Sequence, residues 1–334
     1  MISLSAKQST DYLFLSAYLR AKEKNLLGRE RLARLAAAPN AAEAAKVLEE
    51  CGYPDLADAS DADLEAALSA RREAVFSDVE KLLPEKAMAE IFRLRYDYHN
   101  AKVLVKAEAA GAERAELLSA SGRVSPETLT EAFRQDDGRA LPPALAAAMR
   151  QARSTLARAA NPQLADMELD KAWYAESFSL AAGLSSDFCT RYLRLSADVA
   201  NLRSAVRCLR GGMDEGVLRA ALIPGGNVSA ERIARAAYGE GVSAAFTDRR
   251  LAEAAALGEK AAAGAPLGDF ERACDNALTR FLDEAKLVGF GPEPAAAYLA
   301  SVEGEIIAAR MALQGKRAGV SNETLRERLR ESYV

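Results

Sequence analysis

Hydrophobic and polar positions alternate along this chain with the period of an α-helix. From Asp61 onwards, the apolar residues at 64, 68, 75, 79 and 82 fall on one helical face, and Pro84 ends the run. The same period predicts further long helices over residues 85–110, 184–209 and 295–313. Each is followed by glycine, at Gly111, Gly211-Gly212 and Gly315, and glycine favours the left-handed conformation that ends a helix. No strand-like alternation of useful length is present, so we predict an all-α protein.

The composition favours the same class of fold. Alanine, the strongest intrinsic helix former, occupies 72 of the 334 positions, and β-branched residues are sparse. Half of the residues are hydrophobic and 28% are charged, which is typical of a globular chain long enough for two or three domains. The net charge of −4 argues against a nucleic-acid-binding protein, since these usually carry a basic surface.

The sequence offers few residues that could hold a metal ion or carry out catalysis. The four cysteines form no Cys-x-x-Cys pair, so we expect buried free thiols in a reducing compartment. His99 is the only histidine, which excludes a zinc enzyme with several histidine ligands. Nucleotide-binding glycine loops and the Gly-x-Ser-x-Gly elbow are absent. Charged residues interrupt every long apolar run, so no membrane-spanning helix is expected.

One enzymatic alternative stays open at this point. Asp136 and Asp137 form an acidic pair, and His99 could act as an acid or a base. The acidic pair has no clear partner cluster on a facing helix, and His99 lies within a predicted helix. We therefore expect structural or surface roles for all three.

Two short motifs recur along the chain. The segment from Gly122 to Glu127 matches the segment from Gly226 to Glu231, and a third copy runs from Gly319 to Glu323. The serines of the copies, Ser125, Ser229 and Ser321, are spaced by 104 and 92 residues and are expected to cap helices. These repeats predict three helical domains, which we place at residues 1–110, 111–215 and 216–334.

The second motif precedes each copy of the first. It reads Asp97-x-x-Asn100-x-Lys102, then Asp198-x-x-Asn201-x-Arg203 and, more loosely, Glu305-x-x-Ala308-x-Arg310. One interpretation is that each asparagine bonds a neighbouring helix and fixes its register. The other is that the basic residues face a partner protein, together with a basic stripe of Arg203, Arg207 and Arg210 on the second helix. Such a stripe is alternatively only a solvated face of the helix. The candidate interface residues are Lys102, Arg203, Arg207, Arg210 and Arg310.

The order and spacing of these motifs resemble a known family. The opening from Tyr12 to Lys22, the following Leu26-Leu27, the acid–asparagine–basic helices and the ending from Leu325 to Val334 are similar to the C subunits of the A-type and V-type rotary ATPases. The eukaryotic counterpart is the d subunit of the V-type ATPase. The resemblance covers essentially the whole chain. The departures are Ala308 at the third asparagine position and the run Tyr96-Asp-Tyr-His99 ahead of the first asparagine.

The resemblance implies a specific architecture and role. It implies an all-helical, funnel-like protein whose three similar domains surround a pseudo-threefold axis. It also implies a socket in the central stalk, holding rotor-shaft subunits of the D and F type above the membrane proteolipid ring and passing torque between them. Such a protein has no catalytic site and no cofactor, lies peripherally on the cytoplasmic face of the membrane, and is a possible contact of the membrane stator subunit.

Another interpretation without catalysis is a general helical-repeat scaffold that binds other proteins. It explains the repeats equally well, but not the similarity at both ends of the chain. Neither interpretation identifies the transported ion, proton or sodium, or the direction in which the motor runs.

Overall fold

The computed structural model describes residues 10–334, and within them it contains α-helices and no β-strand. The predicted all-α fold is therefore confirmed for this part of the chain. The α-helices are α1 Leu13–Glu23, α2 Arg29–Ala37, α3 Ala41–Glu49, α4 Asp61–Leu82, α5 Ala87–Ala109, α6 Pro126–Gln135, α7 Pro143–Ala159, α8 Pro162–Ala182, α9 Phe188–Arg210, α10 Glu215–Ala221, α11 Ala230–Arg235, α12 Ala252–Ala262, α13 Gly268–Leu282, α14 Pro292–Arg317 and α15 Asn322–Arg328.

The repeated serines start three helices, as predicted. The side chains of Ser125, Ser229 and Ser321 each accept a hydrogen bond from the backbone N–H three residues later. This bond satisfies one of the N–H groups that the first turn of a helix leaves unpaired. Pro126 follows the first cap and occupies a position where its missing N–H costs nothing.

Two of the three predicted helix ends are confirmed and the third is wrong. Gly111 and Gly212 have φ angles of 60° and 61°, the left-handed conformation expected after α5 and α9. Helix α14 instead continues past Gly315 to Arg317, and Gly319 takes the left-handed conformation with φ of 72°. Gly315 serves close packing, because a Cβ there would lie 2.7 Å from the Leu325 side chain of α15.

Three long helical hairpins, α4–α5, α8–α9 and α13–α14, form the framework. Their turns meet at one end of the molecule, which we call the hairpin end. There the Glu85 carboxylate accepts hydrogen bonds from the backbone and side chain of Ser185, at 2.8 and 2.7 Å. Ser186 donates to the buried Glu293 at 2.6 Å. Helix α1 joins them, since the Tyr12 hydroxyl donates to Glu85 at 2.7 Å.

The hairpins pack on one another in a closed order. The second helix of each hairpin packs on the first helix of the next, so that α5 contacts α8, α9 contacts α13, and α14 contacts α4. Helix α7 packs on α5 and α8, α12 packs on α9 and α13, and α3 packs on α14. The last residue, Val334, accepts a hydrogen bond from the backbone N–H of Arg29 at 3.1 Å. The N-terminal helices therefore complete the packing around the C-terminal hairpin.

All four cysteines lie in the hydrophobic core of the protein. Cys51, Cys189, Cys208 and Cys274 are all buried free thiols, as predicted. Burial raises the pKa of Cys189 to about 12 and that of Cys274 to about 12, which keeps both thiols protonated. Among the described residues, no helix combines the length and the apolar character needed to cross a membrane.

Candidate functional site

The acid and the asparagine of the first motif hold the loop that follows α5. Oδ1 of Asp97 accepts hydrogen bonds from the backbone N–H groups of Arg123 and Val124, at 2.9 and 3.1 Å, and Oδ2 accepts one from the Arg123 guanidinium at 2.8 Å. Asn100 exchanges two hydrogen bonds with the backbone of Ser119, both at 2.8 Å. Burial raises the pKa of Asp97, while these hydrogen bonds act in the opposite direction.

The second motif repeats this arrangement in α9. Asp198 accepts hydrogen bonds from the backbone N–H groups of Asn227 and Val228 at 3.0 and 3.1 Å. Asn201 exchanges two hydrogen bonds with the backbone of Ile223, at 2.9 and 2.7 Å. The asparagines thus bond a downstream loop, and the expectation that they bond a neighbouring helix is wrong. Each asparagine amide thereby satisfies one backbone N–H and one backbone C=O group of a loop, groups that need a hydrogen-bond partner when they are buried.

A different set of contacts surrounds the acid of α14. Glu305 is buried and accepts hydrogen bonds from the backbone N–H of Leu27 at 2.7 Å and from the Tyr53 hydroxyl at 2.8 Å. Nε of Arg71 lies 3.5 Å from its carboxylate. Burial is the main cause that raises the pKa of Glu305. The third motif therefore holds N-terminal segments of the chain, where the first two hold their own following loops.

The basic residue of each motif bridges two hairpins. Lys102 contacts Asp170 of α8 at 2.6 Å, and Arg203 contacts Glu271 of α13 at 2.5 Å. Arg203 also contacts Asp275, at 2.7 Å. Arg310 forms a bidentate ion pair with Glu65 of α4. These three predicted interface residues thus have carboxylate partners within the chain.

The two remaining candidates of the basic stripe also turn towards neighbouring helices. Arg207 contacts Glu271 at 3.0 Å and leaves most of its side chain exposed. Arg210 donates to the carbonyl groups of Ala261 and Ala265, at the end of α12. Cations stabilise such a helix end, where carbonyl groups lack partners. The assignment of all five residues to a partner interface stays a prediction, and Arg207 and Arg210 are the exposed ones among them.

A cavity of about 370 Å³ lies among α5, α9 and α14. Helix α8 adds Trp173 and Tyr174 to its wall, and the C-terminal residues 329–334 line another side. Helix α13 also lines the cavity, with Asp275, Leu278, Thr279 and Leu282. Two sets of lining residues occupy equivalent positions of the repeated motif, five and two residues before its acid. The first set is Phe92, Leu193 and Ala300, and the second is Arg95, Ser196 and Glu303.

The polar groups of the cavity are unevenly paired. Glu303 is buried and accepts hydrogen bonds from Arg72 at 3.0 Å and from the Tyr96 hydroxyl at 2.6 Å. The Arg95 guanidinium lies 3.9 Å from the same carboxylate, and 47% of the Arg95 side chain is exposed. The buried Nε1 of Trp173 has no hydrogen-bond partner in the described part of the chain. A buried N–H donor without an acceptor lowers the stability of the folded protein, unless a ligand or a partner protein accepts a hydrogen bond from it.

The residues of the enzymatic alternative each have a local contact. Nε2 of His99 lies 2.9 Å from the carbonyl oxygen of Leu117. Asp136 contacts Arg153 at 3.1 Å, and Asp137 contacts Arg139 at 2.7 Å. The side-chain hydrogen bond from Arg139 lowers the pKa of Asp137 to about 2.

Sequence comparisons identify relatives that are C subunits of V-type ATPases or ATP synthases. The chain is 26% identical over 327 residues to the C subunit of the V-type sodium ATPase of Enterococcus hirae, an alignment that covers 97% of this chain and 99% of that protein. It is also 26% identical over 214 residues to the C subunit of the V-type ATP synthase of Thermus thermophilus, covering 61% of this chain and 65% of that protein. The profile of the family described as "ATP synthase (C/AC39) subunit" matches residues 15–328, so the chain belongs to this family.

Proposed function

We propose that this protein is the non-catalytic socket of a rotary ATPase central stalk. In this role the cavity receives the end of the rotor shaft, made of D-type and F-type subunits, and the hairpin end rests on the membrane proteolipid ring. The observation that carries the proposal is the cavity itself, because all three hairpins contribute to its wall: α5 from the first, α8 and α9 from the second, and α13 and α14 from the third. Three similar helical domains around a pseudo-threefold axis would give this arrangement, in a funnel-like form.

The lining of the cavity suits a protein segment as its occupant. Aromatic and aliphatic side chains dominate the wall, and Ile307 of α14 is exposed although it is large and apolar. The unpaired Nε1 of Trp173 and the half-exposed Arg95 are donors that an inserted chain could satisfy. Apolar surface with a few directed polar groups is typical of protein–protein contact cores.

Exposed apolar residues at the hairpin end support the second contact, with the proteolipid ring. Leu287 lies between α13 and α14 and is 89% exposed, and Phe290 of the same connection is also exposed. Leu13 and Phe14 of α1, next to Tyr12, are exposed as well. Grouped exposed apolar residues mark interaction surfaces more often than isolated ones do. We assign this surface to the proteolipid ring, on the cytoplasmic face of the membrane, with the membrane stator subunit as a further possible neighbour.

Torque transmission requires a body that does not shear between its two contacts. The ion pairs of Lys102, Arg203 and Arg310 each join two hairpins, and the buried Arg72–Glu303 pair joins α4 to α14. These links support the proposal that the hairpins turn as one unit. The domain boundaries near residues 110 and 215 belong to the same proposal.

Two surface variants test the two contacts separately. Replacing Leu287 and Phe290 together by serine should weaken binding to membranes that carry the proteolipid ring, with shaft binding unchanged. Replacing Ile307 by glutamate should weaken binding to the isolated shaft, with ring binding unchanged. Leu117→Ser is the matched control, because Leu117 is exposed and apolar but lies on the α5–α6 connection.

Both measurements use the purified full chain. Co-sedimentation with ring-containing membranes reports the first contact, and co-elution with the shaft subunits reports the second. If both variants bind both partners as the wild type does, the proposed placement of the two surfaces is wrong. If the unmodified chain binds neither partner, the socket role itself is wrong.

A further inference from the structure

We propose that the cavity is a keyed socket, in which Arg95, the lining arginine with the weakest carboxylate contact, selects one of three pseudo-equivalent seatings of the inserted shaft. This inference rests on the proposed function and adds the chemistry of the partner. The inserted tip is an apolar segment that carries a carboxylate on the side facing α5.

The similarity of the three helices that line the cavity means that a shaft needs some distinguishing contact to bind in a single orientation. Helices α5, α9 and α14 present the same motif positions to the cavity. If the residues there were also the same, an inserted shaft would find three equally favourable orientations, about one third of a turn apart. A unique seating therefore requires that the equivalent positions differ in charge or in size, so that two orientations are disfavoured.

The charged set of positions differs in the required way. On the α5 wall, Arg95 is half-exposed, and the nearest carboxylate to its guanidinium is that of Glu303 at 3.9 Å. On the α9 wall, Ser196 is neutral, and its hydroxyl lies 2.9 Å from that of Tyr174. On the α14 wall, Glu303 already has Arg72 and Tyr96 as partners.

The other cations of the cavity are occupied. Arg203 holds Glu271 and Asp275 at 2.5 and 2.7 Å, and Arg330 holds Asp275 at 2.8 Å. Of the three arginines that line the cavity, Arg95 therefore has the weakest carboxylate contact. A carboxylate on the shaft gains most by facing α5, and charge complementarity of this kind fixes orientation more than it adds affinity.

The apolar set of positions adds a step in size. Phe92 on α5, Leu193 on α9 and Ala300 on α14 decrease in volume from wall to wall. A bulky side of the shaft tip therefore fits best against α14, where Ala300 leaves the most space. It fits least well against α5, where Phe92 occupies the equivalent position. The unpaired Nε1 of Trp173, on the helix that packs on α5, offers a second donor to the tip.

The test maps the seating of the shaft directly. A benzophenone is attached to one engineered cysteine at the shaft tip, the complex with the full-length chain is irradiated, and the labelled peptides are identified by mass spectrometry. For the wild type we expect at least a tenfold excess of label on one of the three helices α5, α9 and α14. Higher salt should reduce this excess, because the key is electrostatic.

Transposing the cation should move the label. In the double variant R95S/S196R the cation passes from the α5 wall to the α9 wall, and we expect the label to shift by one helix. Arg95→Gln, which removes the charge with little change in volume, should bring the three yields to within about threefold of one another. Arg219→Ser is the matched control, since the Arg219 side chain is 41% exposed and lies outside the cavity lining. Its labelling should equal that of the wild type.

The outcomes separate this inference from the proposed function. Equal labelling of the three helices in the wild type would leave the socket role intact and overturn the key. Labelling that stays on one helix in both R95S/S196R and Arg95→Gln, with both variants folded by circular dichroism, would also overturn the role of Arg95. Absence of label from every element that lines the cavity, including α8, α13 and residues 329–334, in a complex that does form would contradict the proposed use of the cavity.

Discussion

Arg310 of α14 and Glu65 of α4 lie 245 residues apart in sequence and form a bidentate ion pair, with Nε–Oε1 and Nη2–Oε2 distances of 2.6 and 2.7 Å. The equivalent residues Lys102 and Arg203 bond acids 68 residues further along the chain. The third pair therefore returns to the beginning of the chain and closes the order of hairpins. No loop joins α14 directly to α4, so the contact between these two helices, which we call the seam, depends on their packing and on side-chain bonds of this kind.

The first prediction compares a buried and an exposed link across the seam. Arg72 and Glu303 are paired with only 5% and 9% of their side chains exposed, whereas both members of the Arg310–Glu65 pair are partly exposed. Arg72→Met should lower the free energy of unfolding by about 3–5 kcal/mol, because it leaves the Glu303 carboxylate buried without its main cation. Arg310→Gln should lower it by about 0–1 kcal/mol. Urea unfolding followed by circular dichroism measures both.

A double variant checks the cause of the first effect. R72M/E303L replaces both charges by apolar groups and should recover most of the stability lost in Arg72→Met. A cost of Arg310→Gln larger than that of Arg72→Met would contradict this account of the seam.

The second prediction concerns the glycines that let the loops reach the motif acids. A Cβ on Gly122 would overlap Oδ1 of Asp97, and a Cβ on Gly226 would overlap Oδ1 of Asp198. Gly122→Ala and Gly226→Ala should each lower the free energy of unfolding by about 1–3 kcal/mol, as overpacking does. Gly304→Ala is the control, since Gly304 lies within α14 with open space around it, and it should stabilise by about 0.5–1 kcal/mol. Equal effects at all three positions would show that the contact with aspartate is unimportant.

The sequence predicts the features that depend on neighbouring residues. Ser125 caps α6 because its hydroxyl needs only the N–H three residues away, and Gly111 ends α5 through its own φ angle. The prediction for Gly315 is wrong because its role is set by Leu325 of another helix. The partners of Asn100 and Glu305 could not be predicted for the same reason, since a loop backbone and the Leu27 segment reach them only after folding.

The candidate site is predicted in part. The register of Lys102, Arg203 and Arg310 follows from the motif, but their acidic partners lie on other hairpins and have no fixed spacing to them. Sequence reasoning misses Arg95 and Glu303. A signal is present, because both stand two residues before the motif acid, yet a cation and a carboxylate at equivalent positions do not look like a repeat.

The third prediction tests the buried amide of the second motif. Asn201 is fully buried and bonds both the N–H and the C=O of Ile223. Asn201→Ala should lower the free energy of unfolding by about 2–4 kcal/mol, because two backbone groups lose their partner. It should also speed hydrogen exchange at the Ile223 amide. Asn227→Ala is the control and should cost less, about 0.5–1.5 kcal/mol, because it removes one hydrogen bond from the exposed Asn227 side chain to Asp198 and keeps the bond from the backbone N–H. It should leave exchange at the Ile223 amide unchanged. Unchanged exchange at Ile223 in Asn201→Ala would contradict the assigned bond.

The fourth prediction follows from the raised pKa of Glu305. Burial raises this pKa above the value of about 4.3 for an unfolded glutamate, so the native state binds the proton more tightly than the unfolded state does. The resulting stabilisation is complete below about pH 4.3 and is lost as the pH rises through the native pKa. Glu305→Gln has no such proton. The free energy of unfolding of the wild type minus that of Glu305→Gln should therefore decrease as the pH rises, and level off above the native pKa.

Urea unfolding of both proteins in steps from about pH 4 to about pH 8 measures this difference. Glu231→Gln provides a control of opposite sign, because the side-chain hydrogen bond from Arg219 lowers the pKa of Glu231. For that variant the wild-type advantage is present above about pH 4.3 and is lost as the pH falls through the lowered native pKa. A wild-type advantage over Glu305→Gln that stays constant or grows with pH would mean that the bonds from Leu27 and Tyr53, and the Arg71 charge, outweigh the burial of this carboxylate.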